Sequence, residues 1–155
     1  MNGHLASELR GAARVLLDTN VFIYYLQQEP RFEPCVAPVF EMIARGEIKA
    51  FTSVITLLEV LILPIRLGRR DLAEQYVEIL SRSPNISLIP VDETIARRGS
   101  EIRATMTASI KTPDAIQLAT AEAARASVVI TNDRDMGAFT GARVLLLQDY
   151  VGGHA

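Results

Sequence analysis

A chain of 155 residues, 49% hydrophobic and 22% charged with a formal net charge of −2, has the size and composition of one globular domain with a generous core. This excludes a disordered chain, and the mild acidity argues against a non-specific DNA coat, though not against a nucleic-acid enzyme, for which local basic clusters matter more than the total. A single cysteine, Cys35, forms no internal disulfide, so a cytoplasmic setting is expected; no apolar run approaches the ~18 residues of a membrane span, so no membrane partner is expected.

Residues 1–13 carry no hydrophobic stretch and no signal peptide; they read as a flexible N-terminal arm or a short fraying helix, with a single domain over residues 14–150. Val15–Leu17 reads as a buried strand, and Asn20 to Leu26 as the helix it feeds. A helix from about Val36 to Arg45 puts Pro38 in its first turn and ends at Gly46. Ile48–Ser53 is the next strand candidate. The apolar stretch from Val54 to Leu67 is helical, kinked or ended by Pro64. A helix follows from Asp71 to Leu80, stopped by Ser-Pro-Asn. Then come a strand at Ile86–Val91 and a helix from Glu93 to Met106 capped by Asp92. Thr112-Pro113 opens a helix from Asp114 to Ala126. Val128–Thr131 and Val144–Leu147 complete the strand set. Short continuous apolar strands joined by helices predict an α/β domain, a parallel sheet covered on both faces.

In such sheets ligands bind beyond the carboxyl ends of the strands. Asp18 ends the first strand, in VLLDTN. Asp133 follows the fourth, in VVITND. Asp114 starts a helix, and Glu59 lies near the start of another, after Thr52-Ser53. Four acids thus fall at one edge of the sheet. Carboxylates held close together repel unless some are protonated or a cation sits among them. The two histidines, His4 and His154, lie in the tails, so the donor set is all oxygen. That suits Mg²⁺ or Mn²⁺ rather than zinc, and it suits hydrolysis of a phosphate ester.

Each acid also has a purely structural reading. Asp18 and Asn20 fit helix caps at a strand–helix turn. Thr56-x-x-Glu59 fits a capping box, although Leu57, Leu58, Val60 and Leu61 are unusual company for a surface cap. Asp114, after Pro113, sits where the helix dipole favours any acid. Asp133 fits a turn. What argues for chemistry is the set of four in order, not any one of them.

VLLDTN, TLLE at Thr56–Glu59, KTPDAIQLA at Lys111–Ala119 and VITND at Val129–Asp133 resemble the successive motifs of the PIN-domain family, most nearly the VapC-type toxins of bacterial toxin–antitoxin pairs. The resemblance covers about Arg14 to Leu147. It implies a three-layer fold around a five-stranded parallel sheet and a Mg²⁺- or Mn²⁺-dependent endoribonuclease. It also implies a cognate antitoxin, a homodimer, and RNA as substrate. By position, Asp18, Glu59, Asp114 and Asp133 match the acidic quartet, with Asn20 and Thr131 as polar companions. The family often has an aromatic residue three positions after the fourth acid, where this chain has Met136. Asp135 is an extra acid that either joins the site or caps the next short helix; capping is the favoured reading.

The basic residues divide. Lys111 and Arg134 adjoin the site acids and are the expected RNA contacts. Arg66, Arg69 and Arg70, with Arg97 and Arg98, read first as solvated helix faces; Arg103 adjoins the second set. Tyr24 and Tyr25 are expected to split, one ring in the core and one at the surface. The Val54–Leu67 helix is expected to be fully buried by default, or, in the family reading, to form the antitoxin groove. A haloacid-dehalogenase-like phosphatase is a weak rival, because Asn20 stands where its proton-donating acid belongs. The remaining alternative is a non-catalytic module of this fold that binds RNA or protein.

Overall fold

The five strands are all parallel and lie in the order β3-β2-β1-β4-β5 in the computed structural model, which describes residues 4–152. In chain order the elements are α1 (Leu5–Glu8), β1 (Arg14–Leu17), α2 (Thr19–Leu26), α3 (Glu33–Ala44), β2 (Lys49–Ser53), α4 (Val54–Arg66) and α5 (Arg70–Arg82). They continue with β3 (Ile86–Ile89), α6 (Glu93–Thr105), α7 (Thr112–Ala123), β4 (Val128–Thr131) and β5 (Arg143–Leu146). Short 3₁₀ turns occupy Arg134–Ala138 and Leu147–Asp149. No described helix is long and apolar enough to cross a membrane.

Alternation along β1 sorts the core into two layers. Val15 and Leu17 face one side, with Phe22, Val36, Val39, Phe40, Ile43, Tyr76 and Leu80 from α2, α3 and α5. Leu16 faces the other, with Phe51, Val129 and residues of α6 and α7, among them Ile95, Ile102 and Leu118. Leu16 sits in register with Phe51 of β2 and Val129 of β4, so the middle of the sheet is apolar on both faces. The sheet reverses its building direction at β1: β2 lies on one side of it and β4 on the other. That is the switch point at which open parallel sheets leave a crevice beyond the strand ends.

Several details depart from the sequence-based expectations. Of the two readings of residues 1–13, a loose arm or a short helix, the described part takes the second: Leu5–Glu8 forms a helical turn, and Leu5 and Leu9 are buried with the α3 residues. The α3 helix starts at Glu33 rather than Val36, with Pro34 in the first two positions, where a missing N–H costs nothing. Pro38 therefore lies in the helix interior and leaves the Pro34 carbonyl without its usual i+4 donor. Pro64 is likewise inside α4, which runs on only to Arg66 before Gly68 takes a φ of +65°. The tyrosines do not split. Tyr24 stacks on Phe32 with centroids 4.3 Å apart and Tyr25 on Phe40 at 3.9 Å, and both are half-buried. Nor is α4 fully buried: Thr56, Val60 and Pro64 face inward, while Leu58, Ile62, Leu63 and Ile65 are exposed.

Candidate active site

The acids are delivered by four elements to the carboxyl edge. Asp18 directly follows β1 and caps α2: its Oδ1 accepts the Thr19 N–H at 2.8 Å. Its Oδ2 accepts the hydroxyl proton of Thr131, the last residue of β4, at 2.7 Å. This one contact joins the ends of the two strands that flank the switch point. Only 7% of Asp18 is exposed. Burial raises its pKa above the ordinary carboxylate value; the hydrogen bonds from Thr131 and Thr19 work against that, and the charges of Glu59 and Asp133 add to it.

Glu59 sits in the second turn of α4 and is half-buried. The cap of that helix is Ser53, whose Oγ accepts the Ile55 N–H at 3.2 Å, so the Thr56–Glu59 capping box does not form. Glu59 instead accepts the Thr19 hydroxyl proton at 2.8 Å. Asp114 lies in the first turn of α7, where its Oδ2 accepts the Lys111 N–H at 3.3 Å. Lys111, not Thr112, is the cap, and Pro113 stands at the second helical position, where its missing N–H is an orphan anyway. Burial and then the neighbouring Asp133 charge push the Asp114 pKa up to about 6. Asp133 caps the 3₁₀ turn Arg134–Ala138: its Oδ1 accepts the Asp135 N–H at 2.9 Å, and its own N–H donates to Thr131 Oγ1 at 3.1 Å.

The four acids therefore share one field. Asp18 is raised by Glu59 and Asp133, and Asp114 by Asp133 and Asp18. Among the described residues no three of His, Cys, Asp or Glu stand close enough together to hold a metal ion as they are; the four acids come from different elements at the carboxyl edge of the sheet. Asp135 is exposed, and it is Asp133, not Asp135, that caps the turn. Asn20, in the first turn of α2, is half-buried and enters none of these hydrogen bonds. Lys111 and Arg134 are exposed at the entrances of α7 and the 3₁₀ turn. His154 lies outside the described residues, and His4 is exposed.

Met136 fills the place of the family's aromatic. It is fully buried in the α6–α7 layer, and its sulfur stands 3.5 Å from Thr131 Oγ1. Most of the other clustered arginines are engaged elsewhere, while Arg66 and Arg70 are exposed. Arg69 grips Asp71 with two prongs, Arg97 pairs with Glu93, and Arg98 with Glu101 and Glu122. Arg103 donates to the Ile110 carbonyl at 2.9 Å and to Thr112 Oγ1 at 2.8 Å, fixing the loop that leads to Asp114.

Sequence reasoning missed a set of buried polar residues behind the acids: Thr19, Thr52, Ser53, Thr56 and Gln117, each under a tenth exposed. Their one signal was a glutamine and a threonine inside otherwise apolar helical runs. Asn132 was missed as well. It donates to the Tyr24 hydroxyl at 3.1 Å and accepts the Gln148 N–H at 3.2 Å, tying the end of β4 to α2.

The model of the PIN domain matches residues 15–141. No curated protein matches the chain. Among solved structures, VapBC2 from Rickettsia felis bound to a fragment of its promoter DNA superposes with a TM-score of 0.68 at 18% identity, over 86% of this chain and 98% of that one. A toxin–antitoxin complex from Klebsiella pneumoniae gives 0.66 at 25% identity, over 86% and 97%. VapC20 from Mycobacterium tuberculosis, described as a toxin that cleaves the sarcin–ricin loop, gives 0.66 at 17%, over 83% and 98%.

Proposed function

The chain belongs to the PIN-domain family, and from that premise we propose that it is a metal-dependent endoribonuclease of the VapC type, with Asp18, Glu59, Asp114 and Asp133 holding Mg²⁺ or Mn²⁺. The observation that supports this reading is that four acids stand at the carboxyl edge of the sheet, one of them nearly sealed from solvent, and that their charges act on one another. The donor set fits the ion: it is all oxygen, and the pKa values of Asp18 and Asp114 are raised first by burial and then by the charges of neighbouring acids, which a bound cation would offset. When bound, such an ion activates water and stabilises charge at the phosphate.

The chain's own residues have distinct tasks. Thr131 and the Thr19 N–H hold both oxygens of Asp18, leaving its outward lone pairs for the ion. Asp133 and Asp114 reach the crevice from a tight turn and a helix start, which fixes their backbones. Lys111 and Arg134 flank the opening and meet RNA phosphates. Asn20, in the first turn of α2 beside Asp18, contacts substrate; Asp135, exposed, is left to solvent.

Two protein partners belong to the proposal. The outward face of α4 is apolar, with Leu58 58% and Ile65 68% exposed, and contiguous exposed apolar residues mark interaction sites. We assign it to protein contacts, a cognate antitoxin and a second copy of the chain; the toxin–antitoxin complex among the structural relatives supports the first of these.

The test is direct. Purified chain is incubated with total bacterial RNA in Mn²⁺ or in chelator, beside Asp114→Asn. Discrete fragments with Mn²⁺, absent with chelator and in the variant, are expected. Fragments that survive in Asp114→Asn would point to a contaminating nuclease, and RNA retained intact on the protein would point to the non-catalytic binding module.

A further inference from the structure

Behind the crevice, buried polar groups form a continuous chain from α7 to α4 and α2. The Gln117 side chain, 1% exposed, is engaged at both ends. Its Oε1 accepts the Ser53 N–H at 3.2 Å, and its Nε2 donates to Thr56 Oγ1 at 2.7 Å. A backbone N–H can only donate, so the amide has one possible orientation. Thr56 Oγ1 also lies 2.8 Å from Thr52 Oγ1 and 3.1 Å from Thr19 Oγ1, and Thr19 Oγ1 lies 2.8 Å from Glu59 Oε1.

Proton counting then fixes every direction. An ionised Glu59 only accepts, so the Thr19 proton goes to it. The Thr56–Thr19 contact must then use the proton of Thr56. Thr56 has no second proton, so Thr52 donates to Thr56. Thr56 is thereby saturated: it accepts from Gln117 and Thr52 and donates to Thr19. The hydrogens run one way, towards Glu59.

The chain positions of these groups match those of the acids. Thr19 follows Asp18. Thr56 is one helical turn before Glu59 on α4, and Gln117 one turn after Asp114 on α7. Three of the four acids are therefore adjacent in sequence, or stacked one turn away on the same helix, to a member of the relay. We infer that Gln117 is a positioning residue: through Thr56 and Thr19 it orients the hydroxyl that holds Glu59. The inference rests on the ion-site reading proposed above.

The experiment is calorimetric Mn²⁺ titration of the full chain, comparing wild type with Thr56→Val, Thr56→Ser, Gln117→Met, Glu59→Gln and the pair Gln117→Met with Glu59→Gln. Partners that orient metal ligands cost roughly 10–100-fold in affinity when lost. Thr56→Val and Gln117→Met are each expected to weaken Mn²⁺ binding by that order, and Thr56→Ser, which keeps the hydroxyl, to stay close to wild type. Gln117→Met is expected to add nothing in the Glu59→Gln background, because its effect runs through Glu59. Thermal melts of the ion-free proteins read any purely structural cost separately. Wild-type affinity in both Thr56→Val and Gln117→Met, with Glu59→Gln weakened, overturns the relay and leaves the ion site standing. Equal binding by wild type and Glu59→Gln, or no binding by wild type, overturns the ion role of Glu59 and the inference with it.

Discussion

Asp18→Asn is expected to raise the melting temperature of the ion-free chain while abolishing its binding of Mn²⁺. The two effects share a cause. Asp18 is 7% exposed and shares its crevice with Glu59 and Asp133, so its negative charge is held at a cost in the absence of a cation. Asparagine keeps the shape and removes the charge. Its oxygen accepts the Thr19 N–H as Asp18 Oδ1 does at 2.8 Å. Its amide nitrogen donates to Thr131 Oγ1, whose proton turns towards the Met136 sulfur 3.5 Å away. No buried polar group is left without a partner, so the fold gains. The ion loses a charged ligand outright, which exceeds the roughly 10–100-fold cost of losing an outer partner. Calorimetric titration and a thermal melt in chelator read both halves. A variant that binds Mn²⁺ like the wild type would contradict the ligand role of Asp18, and one that melts lower would contradict the cost assigned to its charge, since asparagine caps a helix as well as aspartate does.

The second large effect is on pH. Lowering the pH from about 7 to about 5 is expected to weaken Mn²⁺ binding by roughly tenfold or more, since a carboxyl must be ionised to ligate. The group responsible is Asp114, whose pKa is pushed from 3.8 up to about 6 by burial and by the Asp133 charge. Stability without the ion runs the opposite way. Between 3.8 and about 6 the folded chain holds a proton on Asp114 that the unfolded chain has released. The stability this group contributes is full below the lower value and is lost as the pH rises through the upper one. Asp18 is shifted in the same direction and acts with the same sign. Asp71, held down to about 2 by its pair with Arg69, acts only at lower pH. Denaturant titrations in chelator should therefore show a chain less stable at about pH 7 than at about pH 5 from these groups, with saturating Mn²⁺ removing the difference. Asp114→Asn should flatten the ion-free profile; an unchanged profile would place the titration elsewhere.

The sheet was legible because its strands are short and mostly apolar runs, the pattern a strand takes when both faces are covered. All five strand candidates correspond to observed strands, with ends shifted by no more than two residues. The acids were legible for a related reason: a charge directly after such a run has little structural purpose beyond a cap. Asp18 turns out to be a cap and a crevice acid at once, so the two readings were never exclusive. What stayed hidden depends on contacts distant in sequence. Leu5 and Leu9 look like stray apolar residues in a polar arm until α3 arrives to cover them. Pro38 suggests a helix start, but Pro34 already holds that place. Thr19, Thr52 and Thr56 look like ordinary β-branched residues, and their hydroxyl network exists only because Gln117 crosses from α7, 61 residues further along from Thr56. The outward face of α4 was ambiguous, since an unbroken apolar run carries no record of which side the core takes.

Whether Asp18, Glu59, Asp114 and Asp133 form one ion site is decided by anomalous diffraction from a crystal of the chain soaked in Mn²⁺. A strong peak is expected among the four acids beyond β1 and β4, with the Asp18 and Asp114 carboxylates turned towards it. Strong peaks only at other acids, such as the exposed Asp135, with the crevice empty at saturating Mn²⁺, would contradict it.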